Sequence, residues 1–128
     1  MTNRFDRDTA IKPIGEGRYE VRIDRGWWIV RGPNGGYVAA ILAKAADHAV
    51  ADASRPLLSL TVHFLRPPQE GKAHVETVVE RVGRTLTTVT ARLIQNGKLQ
   101  ALATAAHAVP REMGGFVHAK MPDVRPPK

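Results

Sequence analysis

The 128-residue chain contains no cysteine, which excludes disulfide frameworks, thiolate nucleophiles and thiolate zinc sites together. Aromatic residues are scarce at 5%, too few for the stacking platforms that single-stranded nucleic acid requires. No apolar run approaches the roughly 18 residues of a membrane span, and the polar start, Met1 to Asp8, lacks the basic-then-apolar order of a signal peptide. These absences suit a cytoplasmic protein in a reducing compartment. Acidic residues are also few, 12 against 19 lysines and arginines, and the net charge of +7 favours anionic partners. The basic residues are scattered rather than gathered in a stripe, so no nucleic-acid partner is expected.

What is present fits one globular domain, with 43% hydrophobic and 24% charged residues. The ends read as loose. Residues 110–128 hold Pro110, Gly114, Gly115, Pro122, Pro126 and Pro127, too many breakers for a regular element. The chain therefore divides into a domain over 1–109 and a Pro/Gly-rich tail or linker over 110–128.

Within the domain, Arg18 to Asp24 alternates as a short strand, and Gly32-Pro-Asn-Gly-Gly36 forms a turn in which Asn34 can cap a following helix. The spacing predicts that helix from Tyr37 to about Ala53. Its polar residues, Lys44, Asp47, His48 and Asp52, share one stripe, and the rest is small or apolar, as expected of a helix lying against a sheet. After Pro56 the period becomes two, with Leu58, Leu60, Val62 and Phe64 on one face and Ser59, Thr61 and His63 on the other. Three more strands follow at 72–82, 85–95 and 98–109, the last two joined by Asn96-Gly97 as a type I′ hairpin. The order implies an α+β fold, an antiparallel sheet wrapped around one long helix.

The segments Trp28-Ile-Val-Arg-Gly-Pro-Asn-Gly-Gly-Tyr37, Leu60-Thr-Val-His-Phe-Leu-Arg-Pro67, Val82-Gly-Arg-Thr85 and Ile94-Gln-Asn-Gly-Lys98 together resemble the hotdog fold. In that order they are similar to the first half of the type II acyl-CoA thioesterases, which carry two hotdog units in one chain. The tail resembles the family's linker between halves. The resemblance implies hydrolysis of acyl-CoA to a free acid and CoA without metal or cofactor, and pairing as a homodimer or with a second hotdog unit.

A thioester carbonyl needs donors where its negative charge develops, and the first amides of a helix are such donors. Gly36 and Tyr37 would supply them, with Asn34 and Gly35 shaping the approach. The attacking water needs a base or an orienting group. Many single-hotdog thioesterases carry a helical carboxylate where this chain has Ala43, and Asp47 lies roughly 16 Å along the helix from Gly36 at about 1.5 Å per residue. Asp47 is therefore a candidate for a neighbouring subunit's site or simply part of the polar stripe. Gln95 matches a glutamine of the family hairpin that could orient water. Thr61 and His63 could line a cleft beside the helix start, His63 as a base. Arg66, Arg84 and Arg31, near turns, are candidates for CoA phosphates, and Trp27 and Trp28 for the wall of an acyl or pantetheine channel. The five histidines show no ligand-like spacing, so no metal site is expected. A non-catalytic, acyl-CoA-binding half of a double-hotdog enzyme is the alternative, and a hydratase built on His63 a third reading.

Overall fold

The computed structural model describes residues 2–128. A short helix, α1 (Arg4–Asp8), leads into β1 (Lys12–Gly15) and β2 (Arg18–Ile23). A 3-10 turn over Arg25–Trp27 then precedes a two-residue hairpin of β3 (Trp28–Ile29) and β4 (Gly32–Pro33). The long helix α2 covers Gly35–Val50, followed by β5 (Leu57–Phe64), β6 (Gly71–Val82), β7 (Leu86–Gln95) and β8 (Lys98–Ala108).

Six strands form one antiparallel sheet in the order β1-β2-β6-β7-β8-β5. One face holds α2, whose buried residues Val38, Ile41, Leu42 and Ala45 share a core with Val21, Val75, Leu93 and Ala103. Alanine lines both sides of this contact (Ala45 and Ala46 on the helix, Ala101, Ala103 and Ala105 on β8), so helix and sheet are joined by small side chains. Asn96 and Gly97 both have positive φ, 52° and 71°, the backbone that a type I′ turn demands. The sheet thus closes around α2 as its alternation predicts.

The N-terminus departs from the expectation of looseness. The Asn3 side chain caps α1, and Asp8 at its end accepts hydrogen bonds from Trp27 Nε1 at 3.0 Å, Arg4 Nε at 3.2 Å and Arg7 Nε at 3.1 Å. These contacts come from residues 19 positions away as well as from neighbours, which local periodicity does not register. At the other end, regular structure stops at Ala108, and residues 109–128 run exposed without helix or strand. Among the described residues no helix is long and apolar enough to cross a membrane.

Candidate functional site

The N-terminus of α2 is built from three neighbouring segments. Asn34, directly after the β3–β4 hairpin, is tied to the end of the 3-10 turn through its amide, which donates to Trp27 O at 2.8 Å. Its side chain then accepts from Gly36 N at 2.8 Å, and its carbonyl accepts from Val38 N at 3.3 Å. The expected donor Gly36 is therefore occupied by its own cap. Among the described residues nothing accepts from the amides of Gly35 or Tyr37, which leaves these two as the open donors at the positive end of the helix dipole.

The Tyr37 side chain fixes this end. Its hydroxyl accepts from Asp24 N at 3.0 Å and lies 2.9 Å from Asp8 O and 3.2 Å from Arg22 O, carbonyls that share its proton. Burial pushes the phenol above its usual range, so it stays protonated and keeps donating. Trp27 stacks on the Tyr37 ring at 5.3 Å; both tryptophans are half-buried against the core, and Trp28 also lines a neighbouring cleft.

Beside the helix start lies an apolar cleft of about 380 Å³, bounded by Gly35, Val38, Phe64, Leu65, Arg66 and the Pro67-Pro68 pair. Its outer wall is the segment after β5, held because the amides of Leu65 and Arg66 both donate to Gln100 O, at 2.9 and 3.1 Å. Further on, the buried Gln95 amide latches the same segment: Oε1 accepts from Gln69 N at 2.7 Å, while Nε2 donates to Gln69 O at 2.8 Å and Lys72 O at 3.2 Å. Both hydrogens of that nitrogen are committed to backbone carbonyls. Gln95 shapes the cleft from behind rather than presenting its amide to a water.

A family model for the acyl-CoA thioesterase N-terminal domain matches residues 24–109, a span that contains the helix start, the cleft and all four long strands. The chain belongs to this family. The thioesterase domain is 31% identical to a hotdog-fold protein of unknown function from Alicyclobacillus acidocaldarius, with a TM-score of 0.89 over 99% of this chain and 47% of that one. A candidate thioesterase II from Thermobifida fusca YX is 35% identical, with a TM-score of 0.82 over 96% of this chain and 46% of that one. The thioesterase-like protein TwmA of Talaromyces wortmannii is 28% identical over 111 residues, 85% of this chain and 32% of that protein. The chain thus spans about a third of this curated relative and about half of each of the two solved structures.

Several expected site residues of the thioesterase domain stand elsewhere. Leu60 and Val62 pack on the core below α2, so by strand alternation Thr61 and His63 lie on the opposite, outer face of the sheet, away from the helix start. Phe64 takes the place expected for them, its ring touching Gly35. The period-two pattern ran correctly, but a face could be assigned to the helix only once the sheet was seen. Arg84 is at the far end: its carbonyl accepts from Arg55, just beyond the C-terminus of α2, and that helix is about 24 Å long at 1.5 Å per residue. Asp47 is also at that end, exposed, with Oδ1 3.5 Å from Nε2 of the fully buried His107. Of the three expected arginines only Arg66 borders this cleft, and Arg31 lines a neighbouring one. A larger apolar cavity of about 540 Å³ is lined by Leu57, Leu86 and Met113, with no residue of α2 in its wall.

Among the described residues no group of three or more His, Asp or Glu side chains could hold a metal ion.

Proposed function

We propose that this domain hydrolyses acyl-CoA thioesters at the N-terminus of α2. The observation that carries the reading is the unpartnered amide of Gly35, at the start of α2, on an apolar cleft walled by Val38, Phe64 and Leu65, with the unpartnered amide of Tyr37 two residues on. The amides polarise the thioester carbonyl and stabilise the oxyanion as water adds to its carbon. The cleft receives the acyl chain, collapse of the oxyanion breaks the C–S bond, and the sulfur leaves as a thiol once protonated.

The cleft lining contains no carboxylate and no histidine, so the group that activates water is supplied by a second hotdog unit. The surface for that pairing is β5. It has a single neighbour, β8, and exposes Leu57, Leu58 and Phe64, whereas the opposite edge, β1, is four residues long, carries Lys12 and Pro13, and is thereby blunted. Thr61 and His63 on the outer face of β5, and Asp47 at the far end of α2, are the side chains of this chain that a paired unit can meet. The exposed tail, with Met113, Phe116, Val117, Met121 and Val124 open to solvent, bridges to that unit.

The test is release of free thiol from short- to long-chain acyl-CoAs, together with light scattering. Turnover by a dimer or larger species is expected, and Leu58→Lys should weaken both association and turnover. A clean monomer that hydrolyses at full rate would overturn the paired site. Acyl-CoA bound without turnover would make this chain the binding half alone.

A further inference from the structure

A second cleft of about 490 Å³ adjoins the first and shares Pro67 and Pro68 with it. Arg25, Trp28 and Arg31 form one side, from the turn and hairpin that lead into α2, and Gln69 and Glu70 form the other. Arg25 lies over the Trp28 ring, 4.8 Å from its centroid, which steadies the guanidinium while leaving its N–H edge free. Among the described residues neither Arg25 nor Arg31 has a carboxylate within ion-pair distance; the acidic residues nearby are committed elsewhere, Asp24 to Gly26 N and Arg4 and Asp8 to Trp27. Glu70 is the one carboxylate in the lining, so the cleft keeps a net positive charge. Two unpaired arginines beside an indole, one step from a cleft suited to an acyl group, are suited to a ligand that is apolar at one end and phosphorylated and aromatic at the other.

We propose that this second cleft holds the phosphorylated adenosine end of a CoA thioester, Arg25 and Arg31 binding its phosphates and Trp28 lying beside its base. The inference rests on the thioesterase reading and adds the recognition of the CoA moiety: of the three expected arginines only Arg31 lines this cleft, Arg66 borders the first one and Arg84 stands at the far end of the helix, while Arg25 joins Arg31 here. The shared prolines form the ridge over which the thiol-bearing arm passes from one cleft to the other. Glu70 opposes the phosphates and sets an upper limit on affinity.

Calorimetric titration of the full chain with CoA, pantetheine and adenosine 3′,5′-bisphosphate tests this. CoA is expected to bind more tightly than pantetheine, and the bisphosphate to compete with it. Arg25→Gln and Arg31→Gln should each weaken CoA by about tenfold, the loss of a hydrogen bond to a charged group, whereas Glu70→Gln should tighten it severalfold. These three side chains are exposed, and a thermal melt verifies that the variants fold. CoA bound equally by wild type and both arginine variants would overturn the subsite. So would hydrolysis of acyl-pantetheine and acyl-CoA with equal efficiency, and in either case the thioesterase reading would stand. Failure to bind or hydrolyse either ester would overturn both.

Discussion

The ring of Phe64 lies over the bare α-carbon of Gly35, so close that a β-carbon there would stand 3.2 Å from Phe64 Cζ. This is a few tenths of an ångström tighter than ordinary contact, and Phe64, 56% exposed, has room to yield. Gly35→Ala is therefore expected to leave stability within about 1 kcal/mol, since alanine also favours the helix. The displaced ring should narrow the cleft and lower thioester turnover severalfold. A melt paired with the thiol-release assay separates the two effects, and unchanged turnover would remove Phe64 from the cleft wall.

Gln95→Ala removes all three hydrogen bonds that tie the buried amide to Gln69 and Lys72. The expected cost is about 2 kcal/mol, seen as a lower urea midpoint, with faster amide exchange in the segment after β5. A fall in turnover with no change in midpoint would instead assign Gln95 to water.

The fate of Gln95 shows which parts of this fold the sequence can carry. Elements written in a local period, α2 and the strands from β5 to β8, were legible to within a few residues, and Asn96-Gly97 declared its own turn. The helix start was legible too, because Asn34-Gly-Gly36 is a capping signal. What stayed hidden depends on distant partners. Whether Thr61 or Phe64 faces the helix is decided by pairing with β8, and α1 is held by Trp27 and Tyr37. Gln95 read as a side chain free to orient water because the segment covering it lies 26 residues earlier.

The docking of α1 should depend on acid. The hydrogen bond from Trp27, chiefly, and those from Arg7 and Arg4 hold the Asp8 carboxyl below its ordinary 3.8 against the opposing effect of burial. A depressed folded-state value means that the stabilisation is complete above the unfolded value, and is lost as pH falls through the lower folded one. Trp27 fluorescence should accordingly stay constant from neutral pH to about 4 and change below it. Asp8→Asn should abolish that transition; its persistence in the variant would place the acid-sensitive contact elsewhere.

His107 is fully buried, and neither ring nitrogen has a hydrogen-bond partner. Asp47 Oδ1 stands 3.5 Å from Nε2 and belongs to a side chain 69% exposed. Such a contact compensates poorly for the water the imidazole has lost. His107→Leu is expected to raise stability by about 1 kcal/mol, and Asp47→Asn to change it by less than half of that. A destabilised leucine variant on thermal melting would reveal a partner for the ring.

The hydrogen bonds from Leu65 and Arg66 to Gln100 O have a consequence for the order in which the domain is made. Strand β5 leaves the ribosome well ahead of β8, its single neighbour, so the cleft wall has nothing to hang on while β6 and β7 are being synthesised. During that interval Leu58, Phe64 and Leu65 are open to any other nascent chain. Pairing across so long a separation is slow compared with closing a hairpin. The cleft wall can therefore be completed only once Gln100 and the rest of β8 have been made.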